Sequence, residues 1–334
     1  MSRYGACILS TDGPTLNEDE RALFREVNPF GFILFARHIE TPEQVHTLCD
    51  SLREAVGRNC LITIDQEGGR VQRLRAPQWR EWSAPLDFIN AASDPVRAMY
   101  LRARIMADEL LSIGLDSNCI PTLDVARPDT HPFLHNRCYG TSAEQVIANG
   151  LATADGLRDG GVMPVIKHIP GHGRAQQDSH FDLPVVSASL DALRDSDFQP
   201  FQALAGEAMA MTAHLVYSAI SDLPATLCPK TIDMIRTEIG FDGLLMTDDI
   251  SMKALSGSLA DLSRQSLDAG CDVVLHCNDT FAQRREVAEA AGQMSDAAQA
   301  RAEAAEAARK PEGAIDIPAM EAELEALLGG ALNV

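Results

Sequence analysis

The chain is most informative first in what it lacks. Met1–Ser10 holds no basic stretch followed by a long apolar core, so no signal peptide is expected. No run of about 20 apolar residues occurs, which excludes an ordinary membrane span. Basic residues are few: 28 Lys and Arg stand against 48 Asp and Glu, a formal charge of −20. Such an excess of acid excludes a general nucleic-acid or anionic-membrane binder. The eight cysteines form no Cys-x-x-Cys pair, which argues against a disulfide scaffold or a thiolate zinc site and for buried thiols in a reducing compartment. No glycine-rich dinucleotide fingerprint follows the first apolar run, and no Gly-x-Ser-x-Gly elbow exists. These absences predict a soluble cytoplasmic protein without nucleic-acid or membrane partners, and they name no chemistry.

What is present is an alternating pattern. Short apolar, β-rich runs fall at 6–10, 31–35, 61–65, 119–124, 162–168, 209–214, 244–248 and 272–276, eight in all. Helix-like stretches separate them, at 95–113, 142–157, 198–208, 229–239 and 258–269. Another opens at Thr41-Pro42-Glu43-Gln44, with a polar cap and a proline in the first turn. Several end at glycine (Gly57, Gly114, Gly240, Gly270), as helix C-termini commonly do. Strands this apolar are buried on both faces, which points to a parallel sheet. An open Rossmann sheet fits the alternation too; eight units without the dinucleotide fingerprint favour an α/β fold closed as a single (β/α)8 TIM-type barrel.

At 334 residues the chain has length for two domains. The eight units, however, occupy about 5–280 and no linker or repeat interrupts them, so residues 1–334 read as one catalytic barrel domain, a monomer. A C-terminal helical extension, 281–334, follows. Its Ala/Glu/Arg-rich stretch 297–308 is strongly helical by propensity. Met320, Leu324, Leu327 and Leu328 then make an i, i+4, i+7, i+8 stripe, read as a closing helix docked on the barrel or, alternatively, a partner-binding helix.

In a barrel of this kind, groups at the C-terminal ends of the strands converge on one mouth. The third strand runs into Asp65-Gln66-Glu67-Gly68-Gly69-Arg70-Val71-Gln72-Arg73. The fourth ends at Asp124, with His135-Asn136-Arg137 beyond. Lys167-His168 ends the fifth and leads into Gly171-His172-Gly173 and Asp178-Ser179-His180. His214 ends the sixth, and Asp248-Asp249 the seventh. Each has a plain structural reading. Asp248-Asp249 serves equally as a helix cap, although adjacent strand residues face opposite sides, which leaves one for the mouth and makes Asp249 its structural partner. Glycines around His172 can simply make a tight turn. Yet a loop holding Lys167, His168, Asp178 and His180 pays a desolvation cost unless these groups meet each other or a ligand. A carboxylate beside an imidazole, as in Asp178-Ser179-His180, makes a proton donor and acceptor near neutral pH. Three contiguous residues do not reach Ser-His-Asp triad geometry. His168 and His172 have i, i+4 spacing, but Pro170 and Gly171 between them exclude the helical zinc motif, so no metal and no cofactor is expected.

These residues resemble glycoside hydrolase family 3, and most of all its short bacterial β-N-acetylglucosaminidases. The likeness rests on Asp65–Arg73, on Lys167-His168-Ile169-Pro170-Gly171-His172-Gly173 with Asp178-Ser179-His180, and on Met246-Thr247-Asp248-Asp249-Ile250-Ser251-Met252. Lesser matches are Gly31–Phe35 with Arg37, Met211-Thr212-Ala213-His214, Pro224-Ala225-Thr226-Leu227 and Ala269-Gly270-Cys271-Asp272. The resemblance implies a retaining exo-β-hexosaminidase of peptidoglycan recycling. Asp248 would be the nucleophile and His180 the acid/base, tuned by Asp178. Asp65, Arg73, Arg137, Lys167 and His168 would hold the sugar. Departures are Ile169 for the commoner phenylalanine, Cys138-Tyr139 for Ser-Phe, and Ala36-Arg37-His38 for Lys/Arg-Arg-Asn, which leaves the role of His38 open. Three other readings compete: a phosphorylase using the same site, a non-catalytic sugar-binding or sensor protein, and a glycosidase whose acid is Glu67.

Overall fold

The structure, a computed structural model, describes residues 3–177, 182–278, 280–309 and 315–330. Eight barrel strands follow one another: β1 (Gly5–Leu9), β2 (Pro29–Leu34), β3 (Leu61–Ile64), β4 (Ser117–Asn118), β5 (Ile166–Ile169), β6 (Met209–Thr212), β7 (Leu244–Asp249) and β8 (Val273–Leu275). Seven of the eight apolar runs are strands or hold one; the run 119–124 carries only a bridge from Thr122 to Lys167, and its strand stands just before it. Seven of the strands form a continuous parallel sheet in the order β3-β2-β1-β8-β7-β6-β5. β4 closes the ring between its two edges. On one side Asp116 N–H donates to Ile62 O (3.2 Å) and Cys119 N–H to Ile64 O (2.9 Å). On the other, Ser117 and Asn118 pair with Met163 and Pro164, and Lys167 N–H donates to Pro121 O at 3.1 Å. Regular pairing here is shorter than the run 119–124 suggests, because Pro121 and Pro164 have no N–H to give the ladder.

Every strand is followed by a helix, and the caps explain where these begin. Thr41 accepts from Gln44 N–H to start Pro42–Val56, and Gly57 ends it in the left-handed region (φ 68°). Asp94 caps Pro95–Ser112, Ser142 caps Ala143–Asp159, and Ser258 caps Leu259–Ala269. The helix expected over 198–208 is shorter: Gln199–Ala203 ends at Leu204 after a wide turn at Leu193–Asp197. Glu18–Val27 follows β1, and Phe281–Ala291 follows β8 and packs against both Leu259–Ala269 and Glu18–Val27, so the outer ring is complete.

The rest of the chain docks on this body. Helix Asp296–Ala307 crosses the N-terminal ends of the strands, with Ala298, Ala302 and Ala305 buried. Small residues at this i, i+4, i+7 spacing let the helix lie close beneath the barrel. Ion pairs fix it there: Arg58 to Glu306 (2.7 Å), Arg301 to Asp242 and Asp272, and Arg309 to Asp116 (2.9 Å). Helix Ile317–Leu327 covers Pro95–Ser112, burying Leu324, and Arg97 grips Glu323. The stripe Met320, Leu324, Leu327, Leu328 therefore packs on the chain's own core, which answers the partner-helix alternative. All eight cysteines are buried and free of disulfides. No helix among the described residues is long and apolar enough to cross a membrane.

Candidate active site

The loop after β3 shows how sequence places chemistry. Gln66 turns its side chain back, with Oε1 accepting from the N–H groups of Arg73 (3.0 Å) and Leu74 (3.1 Å) and Nε2 donating to Leu74 O. Between them the chain turns at Gly68, whose φ is 107°. A Cβ there would sit 2.5 Å from Ser83 O and overlap the Arg102 guanidinium, so only glycine fits. This tight loop lays Arg73 over Asp65, Nη2 to Oδ2 at 3.0 Å.

From Asp65 a chain of buried ion pairs runs inward. Lys167 Nζ lies 2.9 Å from Asp65 and 2.6 Å from Glu67. Arg137 holds Glu67 with two bonds of 2.8 Å, the paired geometry a guanidinium makes with a carboxylate. Glu67 is 1% exposed. Burial would push its carboxyl up, but Arg137 and Lys167 outweigh that and hold it at about 2. Burial likewise opposes the charge on Asp65, and Lys167 with Arg73 overcomes it, keeping Asp65 well below the usual carboxylate range. Burial would discharge Lys167, yet its two carboxylates hold it charged, above the ordinary lysine value. Glu67 carries no proton at working pH, so the reading that made it the acid is set aside on this geometry.

Lys167 and His168 are adjacent, and simple strand alternation would send one outward. The pairing of β5 with β6 shifts register between Lys167 and Ile169, and both side chains line the same cavity. His168 Nδ1 donates to Asp124 Oδ2 at 2.7 Å, which fixes the ring and leaves Nε2 as its other polar atom. At the end of β7, Asp248 and Asp249 part ways. Asp249 accepts from Ser251 N–H and hydroxyl and from Cys277 N–H, tying β7 to β8, and burial pushes it up to about 6. This is the structural partner expected from the sequence. Asp248 lines the cavity; burial opposes its charge, but His214 and His168 nearby outweigh it and lower its carboxyl.

Thus Asp65, Arg73, Arg137, Lys167, His168 and Asp248 line one cavity at the mouth of the barrel. Asp178 and His180 lie outside the described residues. Eight lining residues were not anticipated as site residues, among them Arg70, Phe133 and His172. Arg70 and His172 lay inside the two motif loops; Phe133 carried no sequence signal. Asp124 had one, its place at a strand end. Among the described residues no cluster is fit to hold a metal ion. His38 has a purely structural place: Nδ1 accepts Phe35 N–H (2.8 Å), so Nε2–H donates to Thr11 O (2.8 Å).

A closed parallel barrel that gathers acids, imidazoles and cations at the C-terminal mouth of its strands has the layout of a (β/α)8-barrel enzyme. Comparison with known proteins then places it: the chain belongs to glycosyl hydrolase family 3, whose N-terminal-domain model matches residues 8–310. It is 37% identical over 285 residues to a beta-hexosaminidase of Alkalilimnicola ehrlichii, covering 82% of this chain and 81% of that protein. To a Pseudomonas aeruginosa beta-hexosaminidase it is 36% identical over 282 residues, 82% of this chain and 83% of the relative. Among solved structures, native NagZ from Neisseria gonorrhoeae superposes with a TM-score of 0.84 at 28% identity, over 99% of this chain and 97% of that one. A family 3 beta-N-acetylglucosaminidase from Paenibacillus sp. gives 0.85 at 29% identity, over 93% of this chain and 63% of the other.

Proposed function

We propose that the protein is a retaining β-N-acetylglucosaminidase that releases N-acetylglucosamine from small β-glycosides through a covalent glycosyl-enzyme. The observation that carries the reading is that the Asp248 carboxylate opens into the cavity lined by Asp65, Arg73, Arg137, Lys167 and His168. Its lowered carboxyl keeps it charged, as a nucleophile must be. The five other groups bind the sugar's hydroxyl and acetamido groups. The ion pairs and the Asp124–His168 bond hold them in place before substrate arrives, so little ordering cost falls on binding.

Retaining glycosidases normally use two carboxylates. Here Asp248 attacks the anomeric carbon while His180 protonates the leaving oxygen, and water activated by His180 then frees the sugar and restores Asp248. Asp178 orients His180 and raises its basicity. The natural substrates are N-acetylglucosaminyl-anhydromuramyl fragments of peptidoglycan met in the cytoplasm, where eight buried thiols stay reduced. One catalytic domain, residues 1–334, acts as a monomer and needs no metal or cofactor.

The test is hydrolysis of p-nitrophenyl β-N-acetylglucosaminide against the glucoside, with and without phosphate. Preference for the N-acetyl sugar with free N-acetylglucosamine as product supports the proposal. A sugar 1-phosphate would identify a phosphorylase, and binding without turnover a sensor.

A further inference from the structure

His172 is a cavity-lining group that neither the ion-pair chain nor the chemistry of Asp248 uses. It is 2% exposed, yet Nδ1 and Nε2 both lack a hydrogen-bond partner among the described residues. Buried imidazoles are ordinarily satisfied, and an unsatisfied one costs stability. Its place does not depend on those nitrogens. The backbone fixes the residue: His172 N–H donates to Asp124 Oδ1 (2.6 Å), Tyr217 Oη to Gly171 O (2.7 Å) and Thr130 Oγ1 to Gly173 O (2.5 Å). Gly173 passes so near the main chain at Val125 that a Cβ would lie 2.1 Å from its carbonyl oxygen. The ring stands edge-on to His168 at 5.6 Å and to Phe133 at 5.7 Å, contacts a phenylalanine would make as well. Packing therefore accounts for an aromatic ring here and leaves its two polar atoms unexplained.

We propose that His172 is a further sugar-binding residue, one of whose ring nitrogens hydrogen-bonds a hydroxyl of the bound glycoside. The inference rests on the cavity being a glycoside site. Burial, with His168 adding to it, lowers the imidazole to about 4, so at working pH it offers one donor and one acceptor. A hydroxyl can pair with whichever of the two nitrogens faces it, whereas an anion could meet only the donor. The backbone clamps keep the ring in place without substrate, and the hydrogen bond is gained when the sugar enters.

The experiment compares wild type, His172→Phe and His172→Gln by calorimetric binding of N-acetylglucosamine, by turnover of the p-nitrophenyl glycoside, and with its 3-, 4- and 6-deoxy analogues. His172→Phe should bind the sugar about 5- to 100-fold more weakly while melting no lower than wild type, and His172→Gln should recover part of the loss. One deoxy analogue should be penalised in wild type and not further penalised in His172→Phe. The proposal is overturned if His172→Phe binds as tightly as wild type, or if its loss multiplies with that of every deoxy analogue. Should His172→Phe fail to fold, His172→Gln carries the same comparison. Wild type that binds the sugar without turnover defeats the hydrolase reading and leaves this binding test standing.

Discussion

Replacing Glu67 by glutamine separates two roles that look alike in the sequence. Glu67 shares Lys167 with Asp65 and alone holds Arg137 with two bonds. Glutamine keeps the shape but removes the charge, and its amide N–H groups face donors they cannot pair with. Arg137 is 9% exposed, so its orphaned charge cannot turn to water without moving. Breaking one side of a buried ion pair costs about 3–5 kcal/mol. At about 2.1 cal/mol/K per residue, unfolding 334 residues carries an entropy of about 0.7 kcal/mol/K, so the melting temperature should fall by about 4–7 °C. Because Lys167 and Arg137 line the cavity, a shift of about 1 Å in either should cost about 10²-fold in kcat/KM. The pH profile is the decisive assay. Glu67 titrates at about 2 and has no proton to donate, so the basic limb of kcat/KM should persist in Glu67→Gln. Loss of that limb in this variant alone would refute the reasoning and make Glu67 the acid.

Asp248→Ala should lower turnover by at least about 10⁴-fold, the scale on which a nucleophile's loss is felt; activity within tenfold of wild type would place the nucleophile elsewhere. His180→Ala should slow natural glycosides by about 10²–10⁴-fold but spare the first step of good aryl leaving groups; equal rates on both substrates would remove His180 from the acid role. Stability should fall as pH drops from 6.5 towards 4. His38, His172 and His276 are buried and each titrates at about 4 instead of 6.5. In that window the unfolded chain binds more protons, which costs the fold up to about 3 kcal/mol per histidine. Asp249, raised to about 6, opposes them, since its folded form holds the proton more tightly between 3.8 and 6. Urea unfolding at pH 7 and pH 5 measures the balance, and a protein more stable at pH 5 would contradict it.

The parts of this protein that the sequence determines are those set by local physics. Short β-branched and apolar runs such as 61–65 and 244–248, bounded by turn residues, read as buried strands, and Thr41, Ser142 and Ser258 cap helices because their side-chain oxygens satisfy the first N–H groups. Parallel strands joined by helices send their C-terminal ends to one mouth, so Asp65, Lys167 and Asp248 could be assigned to a common site from their positions alone. The closed barrel was legible from the eight units, but the place and shortness of its fourth strand were not, since prolines 121 and 164 interrupt the pairing that a run of apolar residues suggests. Nor was the state of the acids. Glu67 meets Lys167 and Arg137 from 100 and 70 residues away, and only that encounter turns a possible proton donor into a fixed anion. Strand alternation already divided Asp248 from Asp249; what the fold added is the partners, Ser251 and Cys277 for Asp249 and the cavity for Asp248. Charge and hydrogen bonding depend on partners brought together by folding, and it is the tertiary structure that chooses them.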